Sequence, residues 1–158
     1  MFLQNLRAKI GARLSGEKGE AGFTLIELLV VMLILGILAA IAIPAFFNQR
    51  EKATDSQAKS AARTAETSME TYATENGGKY EGATAAILHT IEPTLVATGT
   101  KNNVITIPKA TATEFEVTSE SGSGTKFTIA RESGGTVKFS CTPFSTGGCP
   151  ASPGDWSK

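Results

Sequence analysis

The pattern of apolar and polar residues changes several times along the chain. A hydrophilic start is followed by residues 23–43, whose only polar members are Thr24 and Glu27. A helix of 21 residues rises by 1.5 Å per residue and is roughly 30 Å long, the thickness of the hydrocarbon core of a bilayer. The pattern therefore predicts a membrane-spanning helix over 23–43.

The helical pattern continues beyond this run in a more polar form. Residues 45–75 contain no Pro or Gly. Their apolar members recur at steps of three and four positions and form one narrow face: Ala58, Ala61, Ala62, Ala65, Met69, Tyr72 and Ala73. Asn76 and two glycines then end the helix, since they accept left-handed backbone. The sequence predicts an amphipathic continuation over 44–78.

Two positions are expected to weaken this helix. Pro44 lacks an amide hydrogen and its ring clashes with the preceding turn, so a kink is expected there. Gly36 adds a second weak point because glycine is a poor helix former. We expect the helix over 36–44 to be able to lose order in an assembled fibre.

The remainder of the chain predicts a β-sheet. Residues 79–103 form a variable segment, consistent with a short helix and a loop. From Val104 the period becomes two in the stretches VITI, EFEVTS, TKFTIA and TVKFS, which Ser- and Gly-rich turns separate. We predict three or four antiparallel strands over 104–140. One face would cover the helix and the other would be charged; the inner residues are Phe115, Val117, Phe127, Ile129, Val137 and Phe139, and the outer ones Glu114, Glu116, Lys126 and Lys138.

The only two cysteines lie in the last segment, 141–158. Cys141 and Cys149 bracket the turn-rich stretch CTPFSTGGC, which is typical of a short disulfide loop in an oxidising compartment. In the chain-entropy model such a loop contributes roughly 2.6 kcal/mol. Two free thiols are the alternative. Basic residues flank both ends of the apolar run equally, so the disulfide is what favours a carboxyl-terminal side outside the cell.

Composition and motifs argue against several function classes. Four of the 15 Lys and Arg and two of the 15 acids precede Phe23, which leaves a formal side-chain charge of −2 on the rest. No nucleic-acid footprint is visible. The sequence has no HExxH, paired CxxC or phosphate loop, so we predict no enzyme, no cofactor and no metal. The single histidine, His89, is interpreted as a surface or loop residue. Asp155 is the only acid after Glu132, so the C-terminal loop has too few ligands for a calcium site.

The junction before the apolar run resembles a known processing motif. Six consecutive residues match, letter for letter, the processing motif of type IV prepilins and of the related type II secretion pseudopilins: Gly22, Phe23, Thr24, Leu25, Ile26 and Glu27. Pro44 also falls where that superfamily commonly has a proline. The resemblance is specific over about the first 55 residues after the leader and only general over the remainder.

The resemblance implies a defined maturation. A membrane peptidase would remove the leader, 1–22, by cutting between Gly22 and Phe23, and would methylate the new amino terminus of Phe23. The methylated amine stays a cation, so it can pair with Glu27 of the same or of a neighbouring subunit. A buried carboxylate needs such a partner.

The fold implied is α+β, a type IV pilin fold in which a long N-terminal helix packs on a small antiparallel sheet. The function implied is that of a structural pilus subunit, held in the cytoplasmic membrane with its carboxyl terminus outside and then packed with identical or related subunits into an extracellular filament. The resemblance also implies three partners: the prepilin peptidase, an inner-membrane platform protein and an assembly ATPase.

Two alternatives stay open. A pseudopilin of a type II secretion system would share every amino-terminal feature. A secreted or anchored binding domain would need an ordinary signal peptide, with Arg7, Lys9 and Arg13 as its basic region, 28–38 as its apolar region and cleavage after 40–42. The acid Glu27 at the start of that apolar region argues against this second alternative.

Overall fold

The computed structural model describes residues 22–99 and 102–157. These residues form two helices, α1 (Leu25–Glu75) and α2 (Ala85–Ile91). Four strands follow: β1 (Val104–Ala110), β2 (Phe115–Glu120), β3 (Lys126–Arg131) and β4 (Val137–Thr142). The chain divides into two compact units between Ala42 and Ile43. Apart from Gly22, the predicted leader lies outside the described residues.

The described part of the first unit is the apolar half of α1. By length and composition this helix could cross a membrane, and its most apolar stretch is 0% buried. A side chain at Gly36 would meet nothing within 4 Å. The residues around both Gly36 and Pro44 are helical, so loss of order between these positions stays a prediction about the assembled state.

The second unit packs the polar half of α1 against a four-stranded sheet. The strands follow one another in the order β1-β2-β3-β4, and each neighbouring pair is antiparallel. In the central pair Val117 lies opposite Ile129, and on the next strand Phe139 lies opposite Ile129. Alternation with period two therefore sends every second side chain towards α1. The predicted α+β fold is confirmed, with four strands.

The core lies between the alanine face of α1 and the inner face of the sheet. The helix contributes Ala58, Ala62, Ala65, Met69 and Ala73, and the strands contribute Ile105, Phe115, Val117, Phe127 and Ile129, all buried. Val137 and Phe139 pack against this core from the edge strand. Small helix side chains and large strand side chains complement each other, which confirms the predicted faces.

Local hydrogen bonds order the segment that follows α1, over residues 76–95. Gly77 and Gly78 have φ of +66° and +81°, and the Gly78 amide donates to the Ala73 carbonyl at 2.7 Å, so the predicted glycine stop is present. Thr84 caps α2 by accepting from the Ile87 amide. His89 lies in the last turn of α2, exposed as expected, with Nδ1 2.7 Å from the Leu95 carbonyl oxygen.

Candidate processing and assembly site

The start of α1 is a capping box built from Thr24 and Glu27. The Thr24 amide and hydroxyl both donate to Glu27 Oε2, at 2.7 and 2.8 Å. The Glu27 amide donates back to Thr24 Oγ1 at 3.3 Å. These bonds satisfy backbone amides that the first turn of a helix leaves without partners. Glu27 thus has a local role that the sequence reasoning missed, although the T-x-x-E spacing carries its signal.

The predicted cleavage position lies just before this capping box. Gly22 and Phe23 precede the helix and are exposed, Phe23 with 83% of its surface accessible. The pairing predicted for Glu27 requires a free amine on Phe23, which only cleavage creates, so that pairing stays a prediction.

The apolar half of α1 exposes its large side chains around the whole helix. Each is at least 48% accessible: Leu25, Ile26, Leu28, Leu29, Val30, Val31, Met32, Leu33, Ile34, Leu35, Ile37, Leu38, Ile41 and Ile43. A helix that is apolar all round is stable only inside a membrane or a protein core. This surface therefore needs an environment that the rest of the described chain does not provide.

A buried acid on the polar half of α1 ties the helix to two distant loops. Asp55 is 0% exposed. Its Oδ1 accepts from the hydroxyls of Ser121 and Ser123 at 2.5 and 2.7 Å, and its Oδ2 accepts from the Gly148 amide at 2.7 Å. We call Asp55, Ser121, Ser123 and Gly148 the Asp55 clasp.

The Asp55 clasp was not predicted from the sequence, although Asp55 itself carries a signal. Asp55 precedes Ala58 by three positions and Ala62 by seven, so it falls in phase with the buried alanine face. Its partners lie 66, 68 and 93 positions away, and no local pattern connects them.

Two cations of α1 extend this contact along the C-terminal tail. The Lys59 ammonium donates to the Gly148 carbonyl at 2.7 Å and lies 5.2 Å from the ring centre of Phe127. Arg63 lies 5.2 Å from the ring centre of Trp156, a cation–π distance. Burial lowers the pKa of Lys59; the Asp55 carboxylate opposes this shift and Arg63 adds to it.

Trp156 fastens the end of the described chain to the sheet. It is 2% exposed and donates from Nε1 to the Ser140 carbonyl at 2.8 Å. Its ring meets Phe127 and Phe139 edge to face, with centres 5.7 and 5.0 Å apart. Nothing in the sequence pattern pointed to this role.

The two cysteines are joined, as the sequence predicted. The Cys141–Cys149 disulfide closes a loop with a sequence separation of eight between β4 and the tail, and both residues are buried. Gly148, the residue before Cys149, is the loop's contact with the Asp55 clasp. Among the described residues, no group of three or more His, Cys, Asp or Glu side chains could hold a metal ion.

Comparison with known proteins identifies the amino-terminal segment. Residues 18–43 match the family model described as the prokaryotic N-terminal methylation motif. The chain is 37% identical over 60 residues to the type II secretion system core protein G of Dickeya chrysanthemi, covering 38% of this chain and 39% of that protein. It is 33% identical over 76 residues to the protein of that name from Pectobacterium carotovorum subsp. carotovorum, covering 47% and 49%.

A pilin is also similar to part of this chain. The type IV major pilin protein PilA of Myxococcus xanthus is 44% identical over 54 residues, which cover 34% of this chain and 24% of that pilin. The chain thus spans less than half the length of these curated relatives. No solved structure matches the chain significantly. The methylation motif, these similarities and the α+β fold support the predicted resemblance to the superfamily that comprises type IV pilins and type II secretion pseudopilins.

Proposed function

We propose that this chain is a structural subunit of a type IV pilus, cleaved between Gly22 and Phe23, methylated on Phe23 and assembled through its apolar helix. The observation that carries the proposal is the apolar surface of α1, which begins at the processing motif and stays exposed all round the helix. The same surface serves two environments in turn, lipid during storage and neighbouring helices in the filament.

Glu27 determines the axial position of each subunit relative to its neighbours in the filament. Cleavage would create a cation at Phe23, next to the capping box in which Glu27 already holds the Thr24 amide. Two unit charges 4 Å apart attract by about 4 kcal/mol at an effective dielectric constant of 20. A subunit placed out of register in an apolar filament core would leave this carboxylate unpaired, which is costly.

The remaining driving force must come from packing and from partners. Leaving lipid for a protein core is nearly neutral for Leu and Ile, because both surroundings are apolar. We therefore expect close helix packing, the pair between the Phe23 amine and Glu27, and the work of an assembly ATPase acting through a membrane platform protein to extract the subunit.

A pseudopilin of a type II secretion system is the second candidate. The similarity to core protein G of type II secretion systems favours it. The disulfide-closed end of the chain favours a pilin. Deletion of the gene separates the two candidates: loss of long surface fibres with normal enzyme secretion supports a pilin, whereas failed secretion with no change in fibres supports a pseudopilin.

Intact mass and amino-terminal sequencing of protein sheared from cells test the processing step. We expect a chain that begins at N-methylated Phe23 and is lighter by two hydrogens because Cys141 and Cys149 are joined. A chain beginning at Ile43 in free solution would replace the proposal with a secreted domain.

Replacing Glu27 tests the assembly role. Glu27→Ala is expected to leave cleavage largely intact and to reduce the yield of sheared filaments strongly, because the Phe23 amine loses its partner. Thr24→Ala is the matched control, since it removes the capping hydroxyl but keeps the charge, and it should assemble. Abundant normal filaments from Glu27→Ala would contradict the pairing.

A further inference from the structure

We infer that a groove at the start of the second unit binds the headgroup of a membrane phospholipid while the subunit is stored in the bilayer. The inference rests on the proposed function, since it requires a membrane-inserted stage. The groove has a volume of about 270 Å³. Its walls include Phe47, Arg50 and Glu51 from α1, and Asn102 and Ser123 from two loops.

The α1 wall of the groove begins one helical turn beyond the apolar run, the level at which lipid headgroups are expected. Phe47 follows Ile43, the last residue of the apolar run, by four positions, which is a rise of about 6 Å along a helix. Phe46 and Phe47 are 66% and 55% exposed and meet edge to face with ring centres 6.2 Å apart. Phe side chains on the apolar face of interfacial helices insert into the boundary between headgroups and acyl chains.

The groove places one cation beside one anion. Arg50 and Glu51 are both exposed, and neither takes part in an ion pair within the part of the chain that the structure describes. A guanidinium matches the geometry of a phosphate oxygen pair, and a carboxylate accepts hydrogen bonds from an ammonium. The two charges together fit a headgroup with a phosphodiester and a primary ammonium, as in phosphatidylethanolamine.

The opposite wall of the groove is held in place. Asn102 has a φ of +67°, and its Oδ1 lies so close to Gly122 that a Cβ there would approach it to 2.6 Å. Ser123 donates to Asp55 at 2.7 Å, so this wall is part of the Asp55 clasp. A preformed wall binds a ligand without first having to be ordered.

A second copy of the chain is the competing occupant. The apolar half of a neighbouring copy's α1 would remove water from Arg50 and Glu51 without supplying opposite charges, which is unfavourable. A zwitterionic headgroup supplies both charges, and the bilayer delivers it at the right depth. The charges therefore favour the lipid.

Native mass spectrometry of the mature chain released from nanodiscs tests the groove. The discs contain equal amounts of phosphatidylethanolamine and phosphatidylcholine, and the lipids that stay bound are identified. We expect phosphatidylethanolamine to be retained over phosphatidylcholine. Arg50→Gln should lower total retention about tenfold. Glu51→Gln should reduce the preference between the two lipids to less than twofold.

Lys52→Gln is the matched control, because it removes one positive charge two positions away and does not line the groove. It should change retention less than twofold. Equal losses of lipid retention from Arg50→Gln and Lys52→Gln would overturn the inference, because they would indicate a general attraction between positive charge and lipid. Retention of a second chain in place of lipid would overturn it as well. A chain that fails to enter the discs refutes the membrane stage and the groove together, whereas entry without selective retention refutes the groove alone.

Discussion

Replacement of Asp55 by alanine should destabilise the second unit more than any exposed substitution on α1. The carboxylate is 0% exposed and accepts three hydrogen bonds from Ser121, Ser123 and Gly148. Its removal leaves two hydroxyls and one amide without this acceptor, and Ser121 is the fully buried donor among them. The Lys59 ammonium also loses the nearby negative charge that favours its protonated form.

The expected cost follows from these contacts. A hydrogen bond to a charged group contributes about 1.5–3 kcal/mol, and a buried donor left unsatisfied costs about 1–3 kcal/mol. The contacts share one carboxylate and the loops can relax, so simple addition would overshoot. Asp55→Ala leaves neutral donors and the half-buried Lys59 behind, and no buried unpaired charge. We therefore expect a cost of about 1.5–3 kcal/mol, the value of one hydrogen bond to a charged group. Asp55→Asn should cost less, because its carbonyl oxygen still accepts.

Urea unfolding of the mature chain in detergent, followed by fluorescence, measures this cost. Trp156 is the only tryptophan. It is buried against Phe127 and Phe139, with the Lys59 ammonium 5.9 Å from its ring centre, so its emission reports on the packing of α1 against the sheet. Glu51→Gln is the control: it removes a carboxylate one turn earlier on the same helix, where the side chain is exposed. A loss below about 1 kcal/mol for Asp55→Ala, or one equal to the control, would refute the reasoning.

Two further substitutions probe the same unit by urea unfolding. Burial raises the pKa of the half-buried Glu66, an effect that Arg63 opposes and Glu70 reinforces. The folded state therefore binds the proton of Glu66 more tightly than the unfolded state does. The free energy of unfolding falls as the pH rises from the pKa of the unfolded state through the pKa of the folded state. Glu66→Gln should raise the urea midpoint at pH 7, with a gain that shrinks towards pH 4, and a pH-independent effect would contradict this cause. Ala62 is 0% exposed against the sheet, so Ala62→Leu should cost about 1–3 kcal/mol by overpacking. The same change at the exposed Ala53 should stay within about 0.5 kcal/mol, and equal effects would disprove the close approach of helix and sheet.

The elements that could be predicted from the sequence are those whose signal is local. Alternation with period two marked the strands, and the alanine face marked the buried side of α1, because burial imposes those periods on the residues themselves. The glycine stop after α1 was visible for the same reason: left-handed backbone at Gly77 and Gly78 demands that residue type.

The contacts that escaped prediction join distant segments. The Asp55 clasp links a helix to turns 66 and 93 positions later, and an aspartate on a polar helix ordinarily indicates a solvated surface. Trp156 lies outside any regular element, so no period reveals its burial. At the processing site, the motif predicted which residues matter, but the capping bonds between Thr24 and Glu27 depend on where the helix begins.

The Asp55 clasp also determines how a subunit would carry mechanical load. A pull along α1 from its amino-terminal end would reach Asp55 20 residues before the helix ends at Glu75. Since one carboxylate holds Ser123 and Gly148 together, the force would divide between the turn after β2 and the loop closed by Cys141 and Cys149. The covalent bond in that loop limits its extension, so tension would be shared by several bonds at once before any strand could be peeled from the sheet.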